Sequence, residues 1–326
     1  MELVPWRDAW QDALYGPDGF YRRPEGPAGH FTTSTHGPLG GLLAEALGRL
    51  ADAEGATHVV DVGAGRGELL RALHGVRPDL RLTGVDVVDR PEALPAAVGW
   101  MTSPGGAGLP DDLHDLDDVL AVAHEWLDVV PCSVLEVDDG GVARGVLVDA
   151  AARVESVSGP VEPDDAAWCA AHWPLEGLPA GTRVEVGLSR DRAWADLLSR
   201  IRSGTALAVD YGHTREDRPP SGTLVGFRDG VAVPALPDGT CDLTAHVAVD
   251  SLEQDERRTQ REALHALGLS AAAPDHVRAR TDPAGYLADL ARSSAVRALT
   301  DEDGLGGFWW VLRRVRTRPS RARAAD

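Results

Sequence analysis

Apolar residues recur along this chain with two different periods. Leu39, Leu42, Leu43, Ala46, Leu47 and Leu50 follow the i, i+3, i+4, i+7 spacing that lines one face of a helix. Beyond them the apolar runs shorten to strand length at 58–61, 81–86, 98–101 and 119–124, with a helical stretch at 68–73 between the first two. Strands alternating with helices predict a parallel sheet covered on both faces.

After Pro131 the period drops to two. Residues 133–137 and 141–149 alternate about Asp138-Asp139-Gly140-Gly141, a hairpin signal. A polar, proline-containing segment follows to about residue 179. A helix near 192–202 then carries Trp194, Leu197, Leu198 and Ile201 on one face. The apolar strand 205–210 ends in Asp210-Tyr211-Gly212 and returns the chain to the sheet. Residues 213–248 are rich in glycine and proline and form a second excursion. Helices near 252–267 and 283–299 and a strand at 308–315 complete the pattern, and no internal repeat is visible.

The predicted class is α/β: a doubly wound, mostly parallel, Rossmann-like sheet. Residues 1–50 are read as an N-terminal helical cap and 51–131 as the first part of the core. Residues 132–200 are read as an inserted substrate or partner subregion, 201–316 as the rest of the core, and 317–326 as a basic tail. In such sheets ligands sit beyond the carboxyl ends of the strands, at the switch point.

A length of 326 residues, 43% of them hydrophobic, is ample for a core of this size. The sequence has no apolar run long enough for a membrane span, and its first residues lack the basic and apolar regions of a signal peptide, so a cytoplasmic protein is expected. A formal net charge of -19 repels phosphate backbones and disfavours nucleic-acid binding. The sign reverses only in the arginine-rich end, Arg313 to Arg323, which reads as a solvated tail. Cys132, Cys169 and Cys241 are odd in number and widely spaced, as reduced thiols would be. Cys169 and His172 offer too few ligands for zinc, so no metal is expected. The sequence contains no lysine, which with its Ala, Gly, Asp and Arg usage resembles the codon bias of a GC-rich bacterial genome.

Candidate chemistry concentrates at Asp61-Val62-Gly63-Ala64-Gly65-Arg66-Gly67, between the first strand and the following helix. A phosphate-binding P-loop would need lysine, and there is none. A dinucleotide fingerprint would place Gly or Ala three residues after Gly65. That position is Glu68, whose carboxylate opposes a pyrophosphate, and the reading is weakened rather than removed. The pattern Asp-x-Gly-x-Gly-x-Gly suits a cationic, phosphate-free cofactor, S-adenosyl-L-methionine. Gly63, Gly65 and Gly67, with Ala64 between, let the backbone approach the methionine moiety, and Asp61 can answer its ammonium group. Asp86 ends the next strand, where it can accept both ribose hydroxyls. Trp100 and Met101, past the third strand, either flank the adenine or pack in the core.

These motifs, taken with others, resemble the MidA-type methyltransferases, a class I family that includes the mitochondrial complex I assembly factor that methylates a protein arginine. Phe31-Thr32-Thr33-Ser34 is similar to the family's Phe-x-Thr-Ser motif, and Asp61 to Gly67 to its glycine turn. His124-Glu125-Trp126-Leu127-Asp128-Val129-Val130-Pro131 resembles its Asn-Glu-x-Leu-Asp-Ala-Leu-Pro signature. Asp210-Tyr211-Gly212, Gly222-Thr223-Leu224 and Asp242-Leu243-Thr244-Ala245-His246-Val247 resemble its later blocks. The sequence departs from the family at His124, where the family has asparagine, and at Val129-Val130, where it has Ala-Leu. The resemblance implies a methyltransferase sheet and S-adenosyl-L-methionine, with Phe31, Thr33, Ser34 and His124 among the cofactor contacts.

An acceptor guanidinium, with a pKa above 12, makes carboxylates valuable. Glu125 is expected to orient the acceptor, and Asp128 to support it or cap a helix. Asp210 is expected to bind acceptor or buttress Tyr211, and His246 to be a candidate proton acceptor. The function expected is methyl transfer to a nitrogen, that of a protein arginine. A small-molecule or peptide methyltransferase in a bacterial biosynthetic pathway and a non-catalytic cofactor-binding assembly factor are the alternatives, and a nicotinamide oxidoreductase rests on the glycines alone. The expected partner is a protein, peptide or small-molecule acceptor, and a homodimer is compatible with the sequence.

Overall fold

The structure is a computed structural model that describes residues 2–23, 35, 37–272 and 275–316. Phe31, Thr33 and Ser34, together with the basic tail 317–326, lie outside the described residues.

Seven strands form the central sheet: β1 (His58–Val62), β2 (Arg81–Asp86), β3 (Gly99–Thr102), β4 (Val119–His124), β5 (Gly204–Asp210), β6 (Glu256–Thr259) and β7 (Trp309–Val315). Their order across the sheet is β3-β2-β1-β4-β5-β7-β6. Strands β1 to β5 run parallel, while β7 is antiparallel to both its neighbours. The order reverses between β1 and β4, which makes their carboxyl ends the switch point.

The longer helices are α1 (Trp6–Tyr15), α2 (Gly37–Glu54), α3 (Glu68–Val76), α4 (Pro163–His172), α5 (Leu188–Ser199), α6 (Gln260–Ala266) and α7 (Pro283–Leu299). Alternate strand residues face opposite layers. Val59, Leu120 and Leu207 pack with Leu43, Leu47, Leu70, Leu264 and Val296 from α2, α3, α6 and α7. Val60, Ala121 and Ala206 pack on the other side with Trp194 and Leu197 of α5. This period-two division of buried residues is what winds the sheet on both faces.

Between β4 and β5 the chain builds an antiparallel sheet from Val134–Val137, Ala143–Asp149, Val154–Gly159 and Arg183–Glu185. The hairpin expected about residues 138–141 is present, and the Asp138 carboxylate accepts the backbone N–H groups of Gly140 and Val142. The strands at 154–159 and 183–185 and helix α4 were not expected. Most of 154–159 is exposed or half-buried and polar, so no apolar run marks it. The edge of this sheet is Val4–Pro5, from a segment expected to hold only helices and loops. In the second excursion Val225–Arg228 pairs with both Val231–Val233 and Asp242–Thr244.

Two helix expectations need correction. The helix placed at 192–202 begins at Leu188 and ends at Ser199, after which Ile201 bridges to Leu116. The helix placed at 252–267 is in its first half the edge strand β6, paired with β7. Its sequence, Glu256-Arg257-Arg258-Thr259, is charged in the manner of protected sheet edges and gives no apolar signal. Helix α6 starts only at Gln260, where Thr259 and Glu262 form a reciprocal capping box. Among the described residues no helix is long and apolar enough to cross a membrane.

Strand β5 opens at Gly204, where φ is 138° and a Cβ would stand 2.1 Å from the Val119 carbonyl oxygen. Gly204→Ala is expected to destabilise the fold by about 3 kcal/mol through backbone strain and overpacking, measured as a lower urea midpoint with unchanged slope.

Candidate functional site

The chain leaves β1 at Val62 and turns through Gly63 to Gly67 into α3. Gly63 has φ 73°, and a Cβ there would stand 3.2 Å from the Cβ of Trp126, so only glycine lets the turn lie against the residues that follow β4. The Gly63 N–H donates to the Val85 carbonyl at 2.9 Å, and the Gly65 N–H to Asp86 Oδ2 at 2.8 Å. Asp86 Oδ1 accepts from the Val88 N–H at 3.2 Å. One carboxylate thus fixes the turn to the end of the neighbouring strand.

This corner is strongly acidic. Asp61 is 3% exposed, and burial, then the negative charges of Asp86 and Glu68, pushes its carboxyl up to about 8. Burial raises Asp86 to about 6 against the N–H groups that stabilise its charge, chiefly that of Gly65. A cation delivered here would relieve both groups.

Past β4 the backbone is strained. Glu125 has φ 52°, a left-handed conformation rare for a side chain of its size. The turn is held there by the Glu125 N–H on the Val209 carbonyl at 2.9 Å and the Leu127 N–H on Asp210 Oδ2 at 3.0 Å. Burial pushes His124 down to about 4, so its imidazole is neutral near pH 7; its Nδ1 lies 3.4 Å from Glu125 Oε1. Asp128 Oδ2 accepts the hydroxyls of Tyr211 and Thr244, the latter at 2.6 Å, while the buried Oδ1 has no hydrogen-bond partner. Tyr211 stacks edge-on against the ring of His246, centroids 5.1 Å apart.

These elements enclose a cavity of about 520 Å³ at the switch point. Of the residues expected at the site, Asp61, Gly63, Ala64, Gly65 and Asp86 line one part of its wall; His124, Glu125, Asp128 and His246 line another. Gly67 does not line it and faces Leu94 instead. Trp100 and Met101 are also off the wall, contrary to the adenine-flanking expectation. The Trp100 indole N–H donates to the Val88 carbonyl at 3.0 Å with its ring against Gly84, and Met101 packs with the core beneath. Asp210 is likewise behind the wall, where its carboxylate accepts the Leu127 N–H rather than a group of Tyr211.

Several lining residues were not foreseen. Tyr15 and Tyr21 come from the N-terminal segment, and Tyr21 donates to Asp242 Oδ1 at 2.6 Å. Nothing in their local sequence marks them, because the contact is made across more than two hundred residues. Trp126, Tyr211, Asp242 and Thr244 also line the cavity; they stand inside the quoted motifs, where their neighbours were singled out instead.

A parallel sheet with a glycine turn and paired acids at its switch point defines a nucleoside-cofactor fold. The comparisons give the family. Residues 39–269 match the family model Methyltransf_28, described as "Putative S-adenosyl-L-methionine-dependent methyltransferase", and the chain belongs to that family. Among solved structures it is similar to a Burkholderia thailandensis protein described as a likely methyl transferase and crystallised with S-adenosyl-homocysteine. That likeness has a TM-score of 0.74 and 22% identity, over 95% of this chain and 87% of the other. A native crystal structure from the same organism gives a TM-score of 0.72 and 24% identity, over 96% and 87%. No curated protein matches the sequence.

The cofactor is therefore S-adenosyl-L-methionine, and the residues present fit it. Its ammonium and sulfonium charges suit a corner where Asp61, Asp86 and Glu68 act on one another, and the side-chain-free turn leaves room for backbone contact. Binding an ammonium favours ionised Asp61. Because burial and the neighbouring acids hold that carboxyl up to about 8, a proton must leave on binding below that pH. Affinity for S-adenosyl-homocysteine by calorimetry is expected to rise several-fold from pH 6 to pH 7.5, a rise that Asp61→Asn flattens. A flat or falling profile in the unaltered protein would contradict this reading.

Proposed function

We propose that the chain is a class I methyltransferase of the MidA type that methylates a nitrogen, that of a protein arginine. The observation that carries the reading is the charge of the cavity wall. Asp61, Asp86, Glu125, Asp128 and Asp242 all line it, and Arg66, at the glycine turn, is its one arginine among the described residues. Two cations fit such a wall, the methyl donor at the glycine turn and a basic acceptor beyond it. The class I assignment draws support from the β3-β2-β1-β4-β5 order combined with an antiparallel β7.

The cofactor supplies a methyl group on a sulfonium, and this chain's own residues prepare the acceptor. Glu125, held on a strained turn at the strand edge, orients the acceptor's N–H groups and favours leaving positive charge on the nitrogens that do not react. Asp128, fixed by Tyr211 and Thr244, supports it from the side. His246, exposed where the cavity meets solvent, is the proton acceptor; burial of its ring against neighbours keeps it below the ordinary histidine range, hence neutral at pH 7. His124, neutral and beside Glu125, stands where the resembling family has asparagine and contributes to the cofactor side. In this reading residues 1–50 cap the core formed by 51–131 and 201–316, and 132–200 serve the acceptor.

Incubation of cell lysate with the protein and radiolabelled cofactor tests the assignment. A labelled polypeptide with methylarginine on hydrolysis is expected. A labelled small molecule would instead favour biosynthetic methylation, for which a 520 Å³ cavity is also of suitable size. Absence of label would leave a non-catalytic assembly factor. Glu125→Gln should leave S-adenosyl-homocysteine affinity within about twofold while methyl transfer falls about 100-fold; normal turnover at saturating acceptor would remove Glu125 from the mechanism.

A further inference from the structure

Arg190 is the third residue of α5 and is only 1% exposed, yet among the described residues no carboxylate lies within ion-pair distance of it. A guanidinium taken out of water costs several kcal/mol unless its N–H groups are satisfied. Here they are satisfied by main-chain oxygens alone. Nη2 donates to the Asp128 carbonyl at 2.9 Å, Nε to that of Val130 at 3.3 Å, and Nη1 to that of His246 at 2.7 Å. Its plane lies over the Trp10 ring at 5.7 Å, and the Trp10 indole in turn donates to the Leu243 carbonyl at 3.2 Å. The preceding residue adds a fourth tie, Ser189 Oγ to the Pro131 carbonyl at 2.7 Å.

Four stretches of chain therefore meet on one side chain: α1, the turn after β4, α5, and the segment that carries His246. None of the other described contacts joins all four. The same charge reaches the acids above it. Asp210 is raised well above the usual carboxylate range by burial, then by Asp128 and Glu125, and Arg190 opposes that rise. His246 is lowered first by burial; Arg190 lowers it further, against Glu185, Asp128 and Asp217, which raise it.

We propose that Arg190 is the positioning residue of the acceptor end of the cavity, setting the places of Asp128 and His246 through their carbonyl groups and supplying the buried positive charge beneath them. This rests on the reading that Asp128 and His246 face the acceptor. A planar fork is required for three separate carbonyls, which lysine cannot reproduce with a single ammonium.

The test uses the full chain loaded with S-adenosyl-homocysteine and the variants Arg190→Lys and Arg190→Met. Cofactor affinity is expected to stay within twofold in both, since the glycine turn is untouched. NMR titration of carbon-labelled histidine, with His246→Asn to assign its signal, should show His246 moving up in Arg190→Met while His58 and His124 stay in place. Labelled methyl transfer into lysate protein should fall at least tenfold in Arg190→Lys, with the cofactor KM unchanged. A filler of the core would instead shift all readouts together or leave His246 where it was, and either result overturns the proposal, as does a wild-type transfer rate in Arg190→Lys. If Arg190→Met does not fold, Arg190→Lys keeps the charge and still decides the positioning role. If the unaltered protein labels nothing in lysate, the arginine-methylation reading fails while the His246 titration still decides this one.

Discussion

Carboxyl groups gathered in a confined space resist ionising together, and this molecule gathers them at one edge of one sheet. The hydrogen bond from Gly65 to Asp86 is the first device that makes the arrangement tenable. It spends one N–H donor of the glycine turn on a carboxylate of the next strand, and so fixes both in a single contact. The hydroxyls of Tyr211 and Thr244 do the equivalent for Asp128 at the opposite part of the wall. What the fold leaves uncompensated is the acidity of a corner that fits a cationic cofactor.

The centre of the sheet was legible because β1, β4 and β5 are buried on both faces and therefore mostly apolar. Residues at or just past the end of a strand are placed by the strand itself, which is why Asp61, Asp86, His124, Glu125 and Asp128 all line the cavity. Side chains one position out of phase were misjudged for the same geometric reason. Trp100 and Met101 sit within β3, and pleating sends their side chains toward Gly84 and the lower core rather than past the strand end. Strand β6 and the exposed strand at 154–159 were illegible because edge strands are written in charged and polar residues. The left-handed backbone at Glu125 was illegible too, since no glycine announces it.

The segment between β4 and β5 was recognisable as a change of period but not as a participant in the site. Its helix α5 sends Ser189 and Arg190 to the carbonyls of the turn after β4, while its sheet takes Val4–Pro5 as an edge strand. The excursion and the N-terminal segment are thus bound to each other as well as to the core. The two parts of the cavity wall are consequently supported by different parts of the chain, the glycine-turn side by local β-turn-α contacts and the Asp128 side by contacts distant in sequence.

That N-terminal strand has a consequence for biogenesis. Val4 pairs with Val148, the Trp6 indole reaches Glu155 at 2.6 Å, and Tyr21 meets Asp242. During synthesis this segment emerges before any of these partners, so Val4 and Trp6 wait for the strands that carry Val148 and Glu155, and Tyr21 waits for Asp242. Competence to hold ligand arises late and nearly at once, and a nascent protein stalled before residue 242 would display a finished glycine turn in front of an open, unwalled cleft.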